Sequence, residues 1–186
     1  MKTVKNQVKI IGGEWKRKNI SFIDSPGLRP TPGRVRETLF NWLEQDLTGK
    51  VCLDLFSGSG VIGFESLSRG ALNVVMVEKS PQVFKTIQEN KKLLQADRAS
   101  LLLTDALMFL EKNNTKFDII FCDPPFNEGW EGKLFPQLAN HLTADGLIYF
   151  ESEVSLNEHS LFKIIKKRKA GNVFYHLVTL KNNDSI

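Results

Sequence analysis

DLFSGSGVIG, Asp54 to Gly63, decides how the chain is read. It follows the apolar run Val51-Cys52-Leu53 and leads into Val61-Ile62-Gly63-Phe64-Glu65-Ser66-Leu67. That order predicts a strand, a glycine-rich turn and a helix. Gly58, Gly60 and Gly63 fit the spacing G-x-G-x-x-G. Glycine supplies positive φ in such a turn and lets a ligand approach the backbone. The helix behind it offers free N–H groups and the positive end of its dipole. The turn is therefore a candidate nucleotide-type cradle. Glu78 closes the next apolar run, Val74-Val75-Met76-Val77. An acid at that place accepts hydrogen bonds from ribose hydroxyls.

From Val51 onward, apolar β-rich runs at 51–55, 74–78, 100–103, 117–122 and 146–151 alternate with helical patterns at 61–69, 81–94, 105–112 and 130–142. Such alternation predicts βαβ units and a parallel sheet with helices on both faces. Leu161–Arg168 and Val173–Leu180, joined by Lys169-Ala170-Gly171-Asn172, predict an antiparallel hairpin closing the sheet edge. A dehydrogenase continues instead with parallel units. A Rossmann-like methyltransferase ends on an antiparallel hairpin, and its cradle holds S-adenosylmethionine. Ahead of the sheet, Gln7–Ile11 and Asn19–Ile23 read as a hairpin. Asp24–Gly33 is a turn-rich linker, and Val35, Leu39, Phe40 and Leu43 recur at helical spacing. The expectation is an N-terminal hairpin and linker over 1–31 and a catalytic domain over 32–186, with a mostly parallel seven-stranded sheet.

The 186 residues are 41% hydrophobic and 25% charged, ordinary for a globular domain. No apolar run approaches the ~18 residues of a membrane span, and the N-terminus has too short an apolar stretch for a signal peptide. Cys52 and Cys122 lie in apolar runs without C-x-x-C spacing, and His141, His159 and His176 are scattered. They predict buried thiols in a reducing, cytoplasmic setting and no metal site. The net charge of +4 is uneven: residues 1–36 hold nine basic residues against Glu14 and Asp24. A basic segment on a near-neutral body suggests a polyanion partner, or a solvated face that keeps the chain soluble. Trp15, Lys16, Arg17 and Lys18 cluster in the hairpin connection. They suit a nucleic-acid surface where a ring stacks and cations meet phosphate; the alternative is that Trp15 packs the hairpin on the core. Arg34 and Arg36 fall in the first turn of the following helix, where cations oppose its dipole. They point to a bound anion, phosphate or carboxylate.

FDIIFCDPPF, Phe117 to Phe126, is the most specific stretch. A strand runs into Asp123-Pro124-Pro125-Phe126. Proline removes an N–H and fixes φ, so the pair makes a stiff edge with outward carbonyls. An exocyclic amine on a base is a poor nucleophile because its lone pair is delocalised. The Asp123 carboxylate and a carbonyl of the prolyl region can hold its two N–H bonds, aim the lone pair and stabilise the positive charge that develops. Phe126 can stack on a base lifted from its own stack. Asp105, ending another apolar run, could accept from an adenine amine, could cap the next helix, or could do both.

With these residues in place, the chain resembles the RsmD family, the bacterial small-subunit (16S) rRNA guanine 2-amino methyltransferases among the class I methyltransferases. The resemblance rests on IIGGEWKRK (Ile10–Lys18), LRPTPGRVRETLFNWL (Leu28–Leu43), DLFSGSGVIGFESLSRGA (Asp54–Ala71), VEKSP (Val77–Pro81), FDIIFCDPPF and IYFESE (Ile148–Glu153). It implies that Phe56, Ser57, Gly58, Ser59 and Gly60, with Asp54, line S-adenosylmethionine, that Glu78 beside Lys79 binds its ribose, and that Asp105 and Ala106 border its adenine. Asp123, also at the cofactor, would hold the target guanine with Pro124 and Phe126. Trp15, Lys16, Arg17, Lys18, Arg29, Thr31, Arg34 and Arg36 would meet RNA. Thr31-Pro32-Gly33 departs from the usual family form, Thr-Thr or Thr-Ser before an acidic residue. The implied substrate is a guanine in 16S rRNA on an assembling 30S particle, met by a monomer. Three competing readings are a DNA adenine methyltransferase, which lacks room here for a recognition domain, a protein glutamine methyltransferase, and a non-catalytic RNA-binding assembly factor.

Overall fold

The computed structural model describes residues 5–23, 30–126, 129–157 and 159–181. Arg29, most of the Asp24–Gly33 linker and the polar tail after Lys181 lie outside the described residues. Two sheets form. β1 (Lys5–Lys9) and β2 (Asn19–Ile23) pair as an antiparallel hairpin. The second sheet has seven strands: β3 (Val51–Asp54), β4 (Asn73–Glu78), β5 (Ala99–Leu103), β6 (Phe117–Cys122), β7 (Leu142–Ser152), β8 (Phe162–Ala170) and β9 (Val173–Leu180). Their order is β5-β4-β3-β6-β7-β9-β8. β3 to β7 are parallel; β9 runs antiparallel to β7 and β8 antiparallel to β9. The expected parallel sheet with a closing hairpin is what forms.

The helices are α1 (Gly33–Trp42), α2 (Val61–Ser68), α3 (Pro81–Leu94), α4 (Ala106–Lys112) and α5 (Trp130–Leu138). Strand alternation sorts them onto two faces. Cys52, Ile119, Phe121 and Tyr149 join α1, α2, α3 and the hairpin in one core; Leu53, Ile120, Cys122 and Phe150 join α4 and α5 in the other. Ser80 caps α3 by accepting from Val83 N–H, with Pro81 in the first turn. Among the described residues, no helix is long and apolar enough to cross a membrane.

Four boundaries differ from expectation by two residues or more; β8 runs on to Ala170, two residues into the expected connection. α5 stops at Leu138, before the anticipated 142, because Pro136 sits inside it and a 3-10 turn at Ala139–His141 follows. β7 begins at Leu142 rather than near 146. β1 covers Lys5–Lys9 rather than Gln7–Ile11, because the Ile11 N–H leaves the ladder and donates to the Glu65 carboxylate at 3.1 and 3.2 Å.

α2 is buried along its whole length, as a helix enclosed by neighbours on every side must be. Its polar residues fasten the hairpin. Glu65, fully buried, receives Arg36 Nη1 at 2.7 Å and Arg69 Nη2 at 3.0 Å. Ser68 Oγ donates to Gly12 O at 2.6 Å and accepts the Trp15 N–H at 2.8 Å. Gly13 has φ +71°, and a Cβ there would fall 1.8 Å from Ser68 O, so only glycine lets the two backbones meet. Removing one member of a buried ion cluster strands the others, at about 3–5 kcal/mol. Glu65→Ala is therefore expected to lower stability by about that much in urea unfolding; a loss below ~1 kcal/mol would show that the cluster contributes little.

Candidate active site

Strand order reverses between β3 and β6: the chain builds β3, β4 and β5 to one side, then returns to lay β6 on the other side of β3. Ligands of such sheets bind in the crevice at the carboxyl ends of strands flanking that point. The glycine turn leaves β3 there, and the Asp123 segment leaves β6 beside it.

The turn is held by its own backbone. Leu55 N–H donates to Phe121 O at 3.0 Å, Ser57 N–H to Val77 O at 2.9 Å and Gly60 N–H to Ser57 O at 2.6 Å. Gly60 caps α2 at φ +77°, where a Cβ would lie 2.9 Å from Met76 Cε and 3.0 Å from Phe64. Ser57 and Ser59 are buried, and their hydroxyls are engaged locally with Asp54 O and Val61 N–H. Phe56 sets its ring edge-on to Trp130, centroids 5.1 Å apart.

Carboxylates ring this crevice. Asp54 Oδ2 accepts the Gly63 N–H at 3.1 Å. Glu78 accepts from Gly58 N–H at 3.0 Å and from Ser80 N–H at 2.7 Å. Burial lifts Asp54 to about 7, opposed by the Gly63 hydrogen bond and assisted by the charges of Asp123 and Glu78. Burial likewise lifts Asp123 to about 6. Lys79 is exposed next to Glu78. At the end of β5, Asp105 caps α4, accepting from Leu107 N–H at 2.9 Å and Met108 N–H at 3.4 Å; Ala106 behind it is buried. The capping reading of Asp105 is realised.

Beyond β6 a cavity of about 240 Å³ opens, lined by Pro124, Phe126, Trp130, Phe150, Glu151 and Ser152 among others. Pro124 is buried, while the Phe126 ring is 45% exposed. Trp130 Nε1 is buried and has no partner among the described residues. Glu151 is buried and accepts from the Tyr149 hydroxyl at 2.7 Å. Burial and the charge of Asp123 push Glu151 to about 8, against the Tyr149 hydrogen bond. Sequence reasoning assigned Glu151 no role; its signal was a carboxylate ending an otherwise apolar strand, IYFE.

The residues expected to meet RNA divide. Lys16, Arg17, Lys18 and Arg34 are exposed. Trp15 is 5% exposed and belongs to the core, so its ring has no free face for a base and the packing alternative holds. Arg36 is 3% exposed, and the anion it meets is the chain's own Glu65. Thr31 is buried, its carbonyl accepting from Arg36 Nε at 3.0 Å. These three cannot touch RNA. The Lys16–Lys18 turn also packs at the Ser68 end of α2, opposite the glycine cradle at Gly60. Eight residues at 1.5 Å each put the two ends of α2 about 12 Å apart.

A family model described as conserved hypothetical protein 95 matches residues 8–179. The ribosomal RNA small subunit methyltransferase D of Escherichia coli K12 is 39% identical over 92% of this chain and 89% of its own length. The protein of the same name from Haemophilus influenzae is 36% identical, over 93% and 94%. The solved structure of Escherichia coli yhhF superimposes with a TM-score of 0.86 at 37% identity, covering 95% of this chain and 99% of that one. A Haemophilus influenzae methylase structure gives 0.81 at 32% identity, covering 95% and 100%. The chain belongs to the family described as conserved hypothetical protein 95, alongside the small-subunit ribosomal RNA methyltransferases D.

Proposed function

We propose that the chain transfers a methyl group from S-adenosylmethionine to the exocyclic 2-amino group of a guanine in 16S ribosomal RNA, acting as a cytoplasmic monomer on an assembling 30S particle. The observation that carries this reading is Asp123-Pro124-Pro125-Phe126, set at the end of β6 between the glycine turn and a cavity of about 240 Å³.

The crevice fits a cationic cofactor. Asp54, Glu78 and Asp123 gather at its rim, and their mutual repulsion helps lift Asp54. The Asp54 carboxylate also takes the Gly63 N–H, inside the first turn of α2. A dinucleotide pyrophosphate needs those N–H groups and would meet like charge. S-adenosylmethionine carries positive charge, and when bound it supplies an electrophilic methyl on a sulfonium. The turn 56–60 would border its methionine part, Glu78 its ribose and Asp105 its adenine.

The chain's own residues then have three tasks. Asp123, ionised, and the Pro124 region accept the two amine hydrogens and fix the lone pair's direction. As the nitrogen–methyl bond formed and the sulfonium–methyl bond broke to leave a neutral thioether, nitrogen would become positive, and the nearby carboxylate would stabilise that charge in a site partly shielded from water. The surplus proton leaves through Asp123 to solvent. Phe126 offers a ring face to the base.

The reading is tested by giving the protein labelled S-adenosylmethionine with small subunits from cells lacking this protein, beside naked rRNA, DNA and total protein. Label recovered as 2-methylguanosine supports it; label in DNA or protein overturns the substrate. Asp123→Ala is expected to lose far less S-adenosylmethionine affinity in calorimetry than turnover, which falls about 10²–10³-fold. Survival of full turnover would discard the amine-holding role. Because Asp123 acts ionised and burial raises it to about 6, turnover should drop as pH falls through 6; a rate unchanged down to pH 5 would contradict this. Asp54, Asp123 and Glu151 are all raised, so the folded chain holds protons that the unfolded chain has released between pH ~4 and 8. Stability contributed by these groups is therefore lost as pH rises across that window. Scanning calorimetry without cofactor should show a smaller drop in Tm from pH 5 to 8 for Glu151→Gln than for the wild type.

A further inference from the structure

β8, FKIIKKRKA, carries Lys163, Lys166, Lys167, Arg168 and Lys169 and no acid. All five are exposed, and the strand is the outer edge of the seven-stranded sheet. Strand register fixes where the basic run lies. Ser152 pairs with Phe174, which pairs with Lys169; Glu151 pairs with Tyr175 and then Arg168; Phe150 pairs with His176 and then Lys167. Phe150, Glu151 and Ser152 all line the cavity beside Asp123. Two strand spacings of ~4.8 Å put the cationic row roughly 10 Å from that wall.

The cations are arranged around a ring. The ammonium groups of Lys167 and Lys169 lie 5.7 and 4.8 Å from the centroid of Phe174. Lys167 also donates to Ser155, and Arg168 Nη1 reaches Thr38 Oγ1 at 3.4 Å. These partners are neutral and leave the positive charge in place. Phe150, Ser152 and Phe174 alternate onto the same face as Lys167 and Lys169, so the row continues the cavity wall outward.

We infer that the tip of the β8–β9 hairpin, with Lys167 and Lys169 around Phe174 and Lys166 and Arg168 on the strand's other face, is a docking surface for the RNA backbone next to the acceptor base. Cations set about an aromatic face on an open edge match phosphates spaced along a single strand. The assignment rests on the RNA-substrate reading above. It also gives the chain a basic surface beside the cavity, which the Lys16–Lys18 turn at the far end of α2 does not provide.

Lysines on an edge strand also block strand-to-strand association. Glutamate keeps that protection but repels RNA, which makes charge reversal decisive. The combined variant Lys166→Glu, Lys167→Glu, Lys169→Glu is compared with wild type and with Lys163→Glu, whose residue pairs with Thr179 toward the other end of the strand. Binding to naked small-subunit rRNA is measured across a salt series. The triple variant should bind at least about tenfold more weakly, with a salt slope reduced by about 2–3, while Lys163→Glu stays within about twofold. S-adenosylmethionine affinity and Tm should match wild type in both. Unchanged rRNA affinity and slope in the triple variant, with wild type binding normally, overturn the docking surface. If wild type itself neither binds nor methylates rRNA but labels DNA or protein, the substrate reading has failed and the docking surface falls with it.

Discussion

Glu65 is a carboxylate with no exposed surface, in the middle of a helix that is itself buried. Such a charge is tolerated only when it is paired and fully hydrogen-bonded. Here the partners come from three parts of the chain: Arg36 from α1, Arg69 from the end of α2, and the backbone N–H of Ile11 from the hairpin. Arg36 Nη1 also donates to Lys9 O at 3.0 Å. One side chain thus fixes the N-terminal hairpin, the first helix and the helix behind the glycine turn. The turn's position depends on it, because α2 is the support from which residues 55–60 hang.

The far end of α2 meets another electrostatic constraint. A helix start beside a glycine turn is ordinarily an anion site. Asp54 cancels that by occupying the Gly63 N–H, and Glu78 takes the Gly58 N–H. The same glycines that would cradle a phosphate thereby border a crevice walled with carboxylates. The raised values of Asp54, Asp123 and Glu151 express first the cost of burying them and, for Asp54 and Glu151, the repulsion of neighbouring carboxylates. A positively charged ligand relieves that cost, whereas a phosphate would add to it.

Most of the architecture was legible because it depends on local period and punctuation. Strands 73–78 and 117–122 announce themselves as β-branched and aromatic runs, and Pro81 marks a helix start. The place of Asp123, just past the end of β6, was legible because two prolines follow it and stop the strand. What escaped the sequence is what depends on partners distant along the chain. Arg36 looked like an anion site, yet Leu39 and Phe40 stand three and four residues on, which places Arg36 on the buried face of α1. That spacing was the available signal. Glu65 gave only the oddity of one acid in VIGFESLS. Trp15 could be placed only once Ser68 was known to hold its backbone. Glu151 depends on Tyr149 beneath it and on Asp123 across a strand pair, a relation that no single run displays.

These contacts separate the molecule into two ends. The Glu65 cluster and Ser68 draw the basic N-terminal turn toward the carboxyl end of α2, so its charge does not sit over the crevice. The crevice is negative where the glycine turn lies, and a polyanion approaching that part alone would be repelled. Attraction must come from elsewhere on the same rim, and β7 and β9 lead there: β7 carries Phe150, Glu151 and Ser152 into the cavity wall, and β9 passes the same rows on to Lys167, Arg168 and Lys169. The antiparallel hairpin thus does more than cover the sheet edge. It sets positive charge at a fixed span from a negative pocket, an arrangement suited to holding a polyanion's backbone while one uncharged base enters beside a cationic cofactor.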